Sequence, residues 1–209
     1  MTRAADHRRN RLVIGITGAS GGLYALRLLK ALLERENDVE LIVTDYGRRL
    51  LIEECDLNLK STGIGPWLDR AYGTADRPGR LSEHRIHDLG SPLASGTQHW
   101  DGMVVVPCTM KTLAGIASGA SSNLIERAAD VSLKERRPLI LVPRECPLNQ
   151  IQLENMLRAA RAGAAIVPAM PAFYQKPRSF EDLADFIAGR ILALLDIPHT
   201  LFHAWPAAE

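Results

Sequence analysis

Four short polar segments follow apolar runs of the sequence, and their residue types suit phosphate binding and proton transfer. They are the Gly-rich turn at residues 17–22, the pair Thr44-Asp45, residues 107–112 and residues 143–145. Glycine lets a backbone approach an anion closely, and a helix that follows offers free N–H groups and a partial positive charge. If the preceding runs are parallel strands of one sheet, the four segments meet at its carboxyl edge and predict a single binding site.

Each segment also has a structural interpretation that the sequence leaves open. Residues 17–22 lack the G-x-G-x-x-G pattern and the Lys of a P-loop, so their glycines could serve tight packing alone. The hydroxyls and the lysine of residues 107–112 suit an anion or a flavin edge, or a helix cap. Glu145 could relay protons to a bound phosphate, or pair with Arg144 at the surface. Cys108 is interpreted as a small buried hydrophobe rather than a nucleophile.

The elements that carry these segments alternate between strand and helix. The alternation predicts an α/β fold with a doubly wound parallel sheet. Five strands are expected at 11–16, 39–44, 102–106, 139–142 and 164–167, with helices at 23–36, 46–54, 110–118, 124–136, 149–161 and 180–195. Residues 56–99 are rich in Gly and Pro and are interpreted as an insertion, with a short strand at 84–87 as one option. We expect a flexible tail at residues 1–10 and a single domain at 11–209.

Two predicted helices carry polar residues at informative spacings. Arg127 and Lys134 are seven residues apart, which places them on one side of their helix. Asp130 and Lys134 are expected to form an i,i+4 ion pair. Ser179 and Asp182 predict the N-cap of the last helix, rather than part of a carboxylate set for magnesium.

Composition excludes several classes of protein. The 209 residues are 46% hydrophobic and 23% charged, which predicts a packed core and not a disordered chain. A net charge of +1 argues against a nucleic-acid binder that depends on bulk charge. Three cysteines without CxxC spacing favour a reducing, cytoplasmic location, and no apolar run approaches a membrane span. The six histidines form no recognisable metal-ligand set, so we expect no metal.

Taken together, the motifs resemble those of the UbiX-type flavin prenyltransferases. The matching segments are 18–21, 107–113, 123–138, 142–145, 155–156 and 171–174, and the similarity spans about residues 11–205. The resemblance implies a single-domain, Rossmann- or flavodoxin-like flavoprotein. It also implies an enzyme that transfers the dimethylallyl group of dimethylallyl phosphate to N5 and C6 of reduced FMN, forming a fourth ring and releasing phosphate. No metal is implied. The family forms homo-oligomers, usually dodecamers with sites at subunit contacts, and its product serves a UbiD-type decarboxylase.

The resemblance also assigns roles to individual residues. The FMN-binding residues it implies are Gly18, Ala19, Ser20, Thr44, Ser95, Gly96, Thr109, Met110, Lys111, Thr112, Arg127 and Arg144. Glu145 matches the acid–base carboxylate of the family, with Ser20 nearby. Lys134, Tyr174 and Arg190 match the groups that hold the substrate phosphate. Two positive charges and a hydroxyl are a set that could stabilise a departing phosphate without a metal ion.

The sequence departs from the family pattern at two positions and leaves other functions open. Cys146 stands where relatives carry Thr or Ala, and Leu89 stands where some carry an aromatic residue. The first alternative function is a non-catalytic carrier of FMN or prenylated FMN. The second is a flavin-dependent cysteine decarboxylase, although residues 168–171 lack the Asn of that family's motif. A third is the decarboxylase itself, a role that the resemblance assigns to the partner. The choice between dimethylallyl phosphate and diphosphate also stays open.

Overall fold

A six-stranded parallel sheet forms the centre of the computed structural model, which describes residues 9–57, 63–73 and 76–203. Its strands are β1 (Arg11–Ile16), β2 (Asp38–Val43), β3 (Leu81–His84), β4 (Gly102–Cys108), β5 (Leu139–Pro143) and β6 (Ala165–Ile166). The helices of the described residues are α1 (Gly22–Leu33), α2 (Asp45–Cys55), α3 (Ile64–Tyr72), α4 (Met110–Ser118), α5 (Leu124–Lys134), α6 (Gln150–Arg161) and α7 (Phe180–Leu194). Residues 1–8 of the predicted tail lie outside the described ranges, whereas Arg9 pairs with Asp38 and Asn10 bonds to Asn37.

The strands follow the order β3-β2-β1-β4-β5-β6, and all adjacent pairs are parallel. From β1 the chain winds outward to β3, returns beside β1 as β4, and winds outward again to β6. The direction therefore reverses between β1 and β4. In open α/β sheets this reversal leaves a crevice beyond the carboxyl ends of the two strands, where ligands bind. The predicted doubly wound, Rossmann-like fold is confirmed.

Helices cover the two faces of the sheet and divide the core in two. β4 and β5 are buried along their whole length, as expected of strands with helices on both faces. On one face, α1 and α7 pack against residues such as Leu12 and Ile14. On the other face, α4 and α5 pack against residues such as Val13 and Val105. Residues of α5 and α7 therefore lie on opposite faces of the sheet.

The segment at 56–99 contains two elements that the sequence analysis did not predict fully. β3 adds a sixth strand to the five that were predicted, and it ends at His84 instead of beginning there. Its sequence, Leu-Ser-Glu-His, gives a weak strand signal because β3 is a short edge strand that pairs only with β2. α3 was missed because Gly65 and Pro66 suggest a loop, although proline is well tolerated in the first turn of a helix.

Local side-chain partners confirm one prediction about the helices and correct another. The hydroxyl of Ser179 accepts a hydrogen bond from the backbone N–H of Asp182, which confirms the N-cap of α7. Asp130 does not pair with Lys134. It binds Arg127 at 2.7 Å instead, because an i,i+3 partner is within reach, and Lys134 pairs with Glu135 at 2.9 Å. Within the described ranges no helix combines the length and apolar character that crossing a bilayer requires.

Candidate functional site

The ends of β1 and β4 are joined at the point where the strand order reverses. The buried hydroxyl of Thr17 donates to the carbonyl of Pro107 at 2.7 Å and accepts from the N–H of Thr109 at 2.8 Å. Thr17 is 1% exposed, so these bonds satisfy a polar side chain that has no access to water. They fix the spacing between the Gly-rich turn and the loop at 107–112, the two segments that open the crevice.

A cavity of about 180 Å³ lies in this crevice. Its lining residues are Thr17, Gly18, Thr44, Tyr46, Thr109, Lys111, Thr112, Asn123 and Glu126. Thr44 caps α2 by accepting from Gly47, and Thr109 caps α4 by accepting from Thr112. The first N–H groups of each helix have no carbonyl of their own helix as a partner, so both helix N-termini direct donors and partial positive charge toward this region. With Lys111 and the Thr hydroxyls, the donor set suits a phosphate group.

Glu126 is a nearly buried carboxylate in the wall of this cavity, and the sequence analysis missed it. It is 4% exposed. Its two carboxylate oxygens accept from the N–H of Ser122 and the side-chain amide of Asn123, both at 2.8 Å. The amide oxygen of Asn123 accepts in turn from the N–H of Glu126. These bonds hold Asn123 in place, so Glu126 acts by shaping the wall. Its sequence signal is the Asn-x-x-Glu spacing at the start of α5.

A second group of polar residues surrounds the first turn of α1. Glu54, near the end of α2, accepts from the N–H groups of Gly21 and Gly22 at 2.8 and 3.0 Å. It also accepts from the hydroxyl of Ser20. Arg144, which follows β5, donates to the carbonyl of Ser20 at 2.9 Å. The structure therefore brings the predicted residues Ser20 and Arg144 together, and adds Glu54 to them.

The electrostatics of Glu54 favour an ionised carboxylate. Burial raises its pKa, but hydrogen bonds from Gly21, Ser20 and Gly22 and the charge of Arg144 outweigh burial, so that the pKa is lowered. A carboxylate bound to the N–H groups of a helix N-terminus is also stabilised by the helix dipole. Glu54 is thus an acceptor held against the Ser20 hydroxyl, an arrangement that can move a proton.

Glu145 lies beside this group but forms no ion pair with Arg144 in the structure, so the surface-pair interpretation is wrong. Its carboxylate accepts from the N–H of the next residue, Cys146, at 3.1 Å, and the side chain is exposed. Arg144 is turned toward Ser20. Glu145 is therefore available to a ligand that arrives from outside the chain.

Three of the predicted flavin-binding residues and one substrate-binding residue form a separate group. Arg127 donates to the carbonyl of Ala94, which is next to Ser95. Lys134 lies close to Gly96, because a Cβ atom added to Gly96 would stand 2.7 Å from the Nζ of Lys134. Lys134 ends α5, whose first turn reaches the cavity. From Glu126, in the cavity wall, to Lys134 the helix rises about 12 Å. One chain thus holds Ser95, Gly96 and Lys134 away from the cavity.

Tyr174 and Arg190 lie on the other face of the sheet from Lys134. The Tyr174 ring packs edge-on against Phe186 of α7, with ring centroids 6.1 Å apart. Arg190 lies one turn further along α7. The pKa of the His199 imidazole is lowered, chiefly by burial and then by the positive charges of Arg35 and Arg190. Because α5 and α7 cover opposite faces, a single chain does not gather Lys134, Tyr174 and Arg190 around one ligand.

Two further features of the described residues are Cys108 and the possible metal ligands. Cys108 is fully buried, and burial raises the pKa of its thiol to about 12, which is consistent with its interpretation as a small hydrophobe. Among the residues that the structure describes, no group of three or more His, Cys, Asp or Glu side chains could hold a metal ion.

Comparisons with known proteins agree with this geometry. The flavoprotein family matches residues 2–192. A flavin prenyltransferase UbiX from Alkalihalophilus pseudofirmus is 47% identical over 93% of this chain and 95% of its own. The crystal structure of AnUbiX (PadA1) in complex with FMN and dimethylallyl pyrophosphate is 43% identical, covers 97% of this chain and 100% of its own, and superposes with a TM-score of 0.84. A dodecameric FMN-dependent UbiX-like decarboxylase from Escherichia coli O157:H7 is 37% identical, with a TM-score of 0.82 over 94% of this chain and 100% of its own.

These matches extend over nearly the whole chain and include the loops that form the cavity. They confirm the resemblance that the motifs predicted. The chain belongs to the flavoprotein family and, within it, to the UbiX-type flavin prenyltransferases.

Proposed function

We propose that this protein transfers the dimethylallyl group of dimethylallyl phosphate to N5 and C6 of reduced FMN and releases inorganic phosphate. One observation carries the proposal. A phosphate-sized cavity, on which helix N-termini converge, lies next to the Ser20–Glu54–Arg144 group. A relative described as a complex with FMN and dimethylallyl pyrophosphate supports the same pair of ligands. The prenylated flavin would then serve a decarboxylase of the UbiD type.

The residues at the cavity fit the phosphate end of FMN. The turn at 18–20, the cap hydroxyls of Thr44 and Thr109, and the first turn of α4 at 110–112 would bind the phosphate and the neighbouring hydroxyls. Gly18 permits the close approach of this turn to α2, because a Cβ atom would stand 2.4 Å from the Cβ of Tyr46. Arg144 would contact the flavin beyond the turn. When bound, the reduced flavin supplies the nucleophilic atoms of the reaction.

Proton transfer falls to the carboxylates beside α1. Ring closure releases a proton, and the exposed Glu145, which follows Arg144 after β5, can accept it. Alkylation of N5 would release the N5 proton as well, and Ser20, whose hydroxyl donates to the ionised Glu54, can pass that proton to the carboxylate. Glu145→Gln is expected to stall turnover and leave FMN bound, because the amide keeps the shape of the side chain but cannot take a proton. Full activity in this variant would exclude Glu145 from the mechanism.

Departure of the phosphate needs the cationic residues, which a single chain holds on opposite faces of the sheet. Lys134 and Arg190 would neutralise the growing negative charge, and Tyr174 would donate to it. We infer that neighbouring copies of the chain complete each site, in a homo-oligomer such as the dodecamer described for one relative. If a second copy supplies a charged group, the site is complete and shielded from water only after the copies have assembled.

The decisive experiment is anaerobic incubation of the protein with reduced FMN and dimethylallyl phosphate, followed by mass spectrometry of the extracted flavin. A five-carbon adduct is the expected result, and a parallel sample with dimethylallyl diphosphate determines which donor is accepted. Unmodified FMN bound to folded protein would contradict the proposal and favour the carrier. Carbon dioxide release from a cysteine-containing substrate would favour the cysteine decarboxylase.

Mixed oligomers test whether two copies build one site. Lys134→Ala and Glu145→Gln are each expected to be inactive alone. If neighbouring copies supply these residues, random co-assembly of equal amounts restores about one quarter of wild-type activity, because half of the chains hold each intact residue. If one chain supplies both, activity stays near zero. Lys30→Ala, which removes a lysine of α1 that pairs with Glu34, is the control that keeps activity.

A further inference from the structure

Tyr46 stands at the rim of the cofactor cavity with most of its ring in solvent. It lines the cavity, yet it is 72% exposed. A large aromatic side chain that is exposed in a soluble domain and borders a ligand cavity is a candidate for contact with the ligand. The assignments by family resemblance leave it without a role.

The backbone beneath Tyr46 restrains where the ring can stand. Tyr46 is the second residue of α2, two residues after the N-cap Thr44 and one residue before Gly47, whose N–H binds that cap. Its Cβ lies against the Cα of Gly18, so close that a Cβ at position 18 would be 2.4 Å away. The stem of the side chain therefore packs against the turn after β1, and the ring projects at the cavity rim.

The size of the cavity indicates which part of the cofactor it encloses. Pockets that enclose a whole drug-sized ligand measure roughly 300–1,000 Å³, and this cavity measures about 180 Å³. It therefore suits the phosphate end of a flavin nucleotide, with the ring system outside. The chemistry of the lining agrees, because the hydroxyls of Thr44 and Thr109 and the ammonium group of Lys111 are phosphate ligands.

The rim is also unfavourable for a second phosphate. Asp45 stands between Thr44 and Tyr46, two residues that line the cavity, so a carboxylate lies next to this rim. A flavin extended by an adenylate group would carry a second phosphate and a nucleoside away from the first phosphate. That extension would meet the Tyr46 ring and nearby negative charge.

We propose that Tyr46 is a specificity-determining residue that ends the cofactor site at the 5′-phosphate, so that FMN is bound and FAD is excluded. The inference rests on the proposed function, because it takes the cavity to hold the phosphate of FMN. The ring acts by occupying space, and its hydroxyl is not needed. Replacement of the ring by a small side chain opens a path for the extension.

Titration of the full-length protein with oxidised FMN and with FAD, followed by flavin fluorescence, tests this inference. The wild type is expected to bind FMN far more tightly than FAD. Tyr46→Ala is expected to improve the affinity for FAD relative to FMN by roughly tenfold or more, as the removal of a steric block does. Tyr46→Phe keeps the wild-type ratio, and so does Ile52→Ala, the control at an exposed position of α2 away from the cavity.

The outcomes separate this inference from the proposed function. If Tyr46→Ala binds FMN and the ratio of its affinities for FMN and FAD is unchanged, the role of Tyr46 is overturned and the proposed function is not. Equal affinity of the wild type for FMN and FAD would do the same. A folded wild type that binds neither flavin would contradict the proposed function, and this inference with it. Tyr46→Leu provides a second small, flexible side chain if Tyr46→Ala is poorly stable.

Discussion

Glycine 18 lets the turn after β1 lie directly against the first turn of α2. A Cβ at this position would stand 2.4 Å from the Cβ of Tyr46 and 3.3 Å from its carbonyl carbon, and a backbone cannot move aside as a flexible side chain does. Gly18→Ala is therefore expected to displace α2 and weaken FMN binding by roughly tenfold or more, about 1.4 kcal/mol. Fluorescence titration measures the effect. Gly65→Ala, whose Cβ would meet only side-chain ends at 3.4 and 3.5 Å, is the control with unchanged affinity.

Thiol reactivity gives a second prediction at the scale of single residues. Cys146 is exposed, whereas burial raises the pKa of Cys55 to about 11 and that of Cys108 to about 12. At pH 8 roughly one in a thousand of the Cys55 thiols or fewer is ionised, and the thiolate is the reactive form. Iodoacetamide is expected to label only Cys146 in the folded protein, as peptide mass spectrometry can verify. Cys146→Ser should abolish this labelling, and label on Cys108 before denaturation would contradict the buried site.

Local sequence patterns indicate those candidate-site residues whose positions depend on their neighbours in the chain. Thr44 and Thr109 follow strands and precede helices, so their cap positions are evident from local spacing. Glu54 is 33 residues from Gly21 and lies in an ordinary amphipathic helix. Its role depends on the direction in which α2 crosses the carboxyl edge of the sheet, which no local pattern encodes.

At the scale of elements, strands buried on both faces were the easiest to predict. β4 and β5 consist of continuous apolar residues, and their positions follow directly from those runs. The sequence of β3 alternates only weakly between apolar and polar residues, and β3 lies at the edge of the sheet. Pairing with β2, rather than the intrinsic strand preference of its residues, makes it a strand. The sequence therefore predicted the winding of the sheet but undercounted its strands.

The N-terminus of α7 provides a prediction at this scale. Ser179 and Asp182 form a reciprocal pair of hydrogen bonds that satisfies free N–H groups at the start of the helix. Ser179→Ala is expected to lower the free energy of unfolding by about 1 kcal/mol, because those N–H groups lose an acceptor. Ser179→Thr keeps the acceptor and should restore most of the loss. Chemical denaturation measures both, and equal stability of Ser179→Ala and the wild type would contradict the cap.

Seen as a whole molecule, the protein holds two sets of predicted site residues on different surfaces. The cavity and the Ser20–Glu54–Arg144 group lie at the carboxyl edge, whereas Lys134 lies at the far end of α5 and Arg190 on the opposite face. The family resemblance assigns members of both sets to one site, because a motif does not record which chain supplies each residue. Separation within one chain is therefore an argument for assembly.

Acid titration of the whole protein gives a final prediction, since Glu40 and Glu54, on different elements, are among the carboxylates with lowered pKa values. Burial raises the pKa of both groups, but hydrogen bonds outweigh burial. The bonds to Glu54 come from the turn at 20–22, and those to Glu40 come from His84 and Arg11. In the unfolded chain both groups titrate near their ordinary value of 4.5. The unfolded state therefore binds protons first as the pH falls, so the stabilisation present above about pH 4.5 is lost progressively below it.

Urea denaturation between about pH 6 and pH 3, at one fixed chain concentration, measures this dependence. The free energy of unfolding is expected to fall more steeply with acid in the wild type than in Glu54→Gln, because the amide has no proton to gain. Glu53→Gln, which changes the exposed neighbour paired with Arg49, should keep the wild-type slope. If Glu54→Gln and the wild type lose stability in parallel, the carboxylate of Glu54 is not held by the first turn of α1 in solution. The proton path from Ser20 would then lose its acceptor.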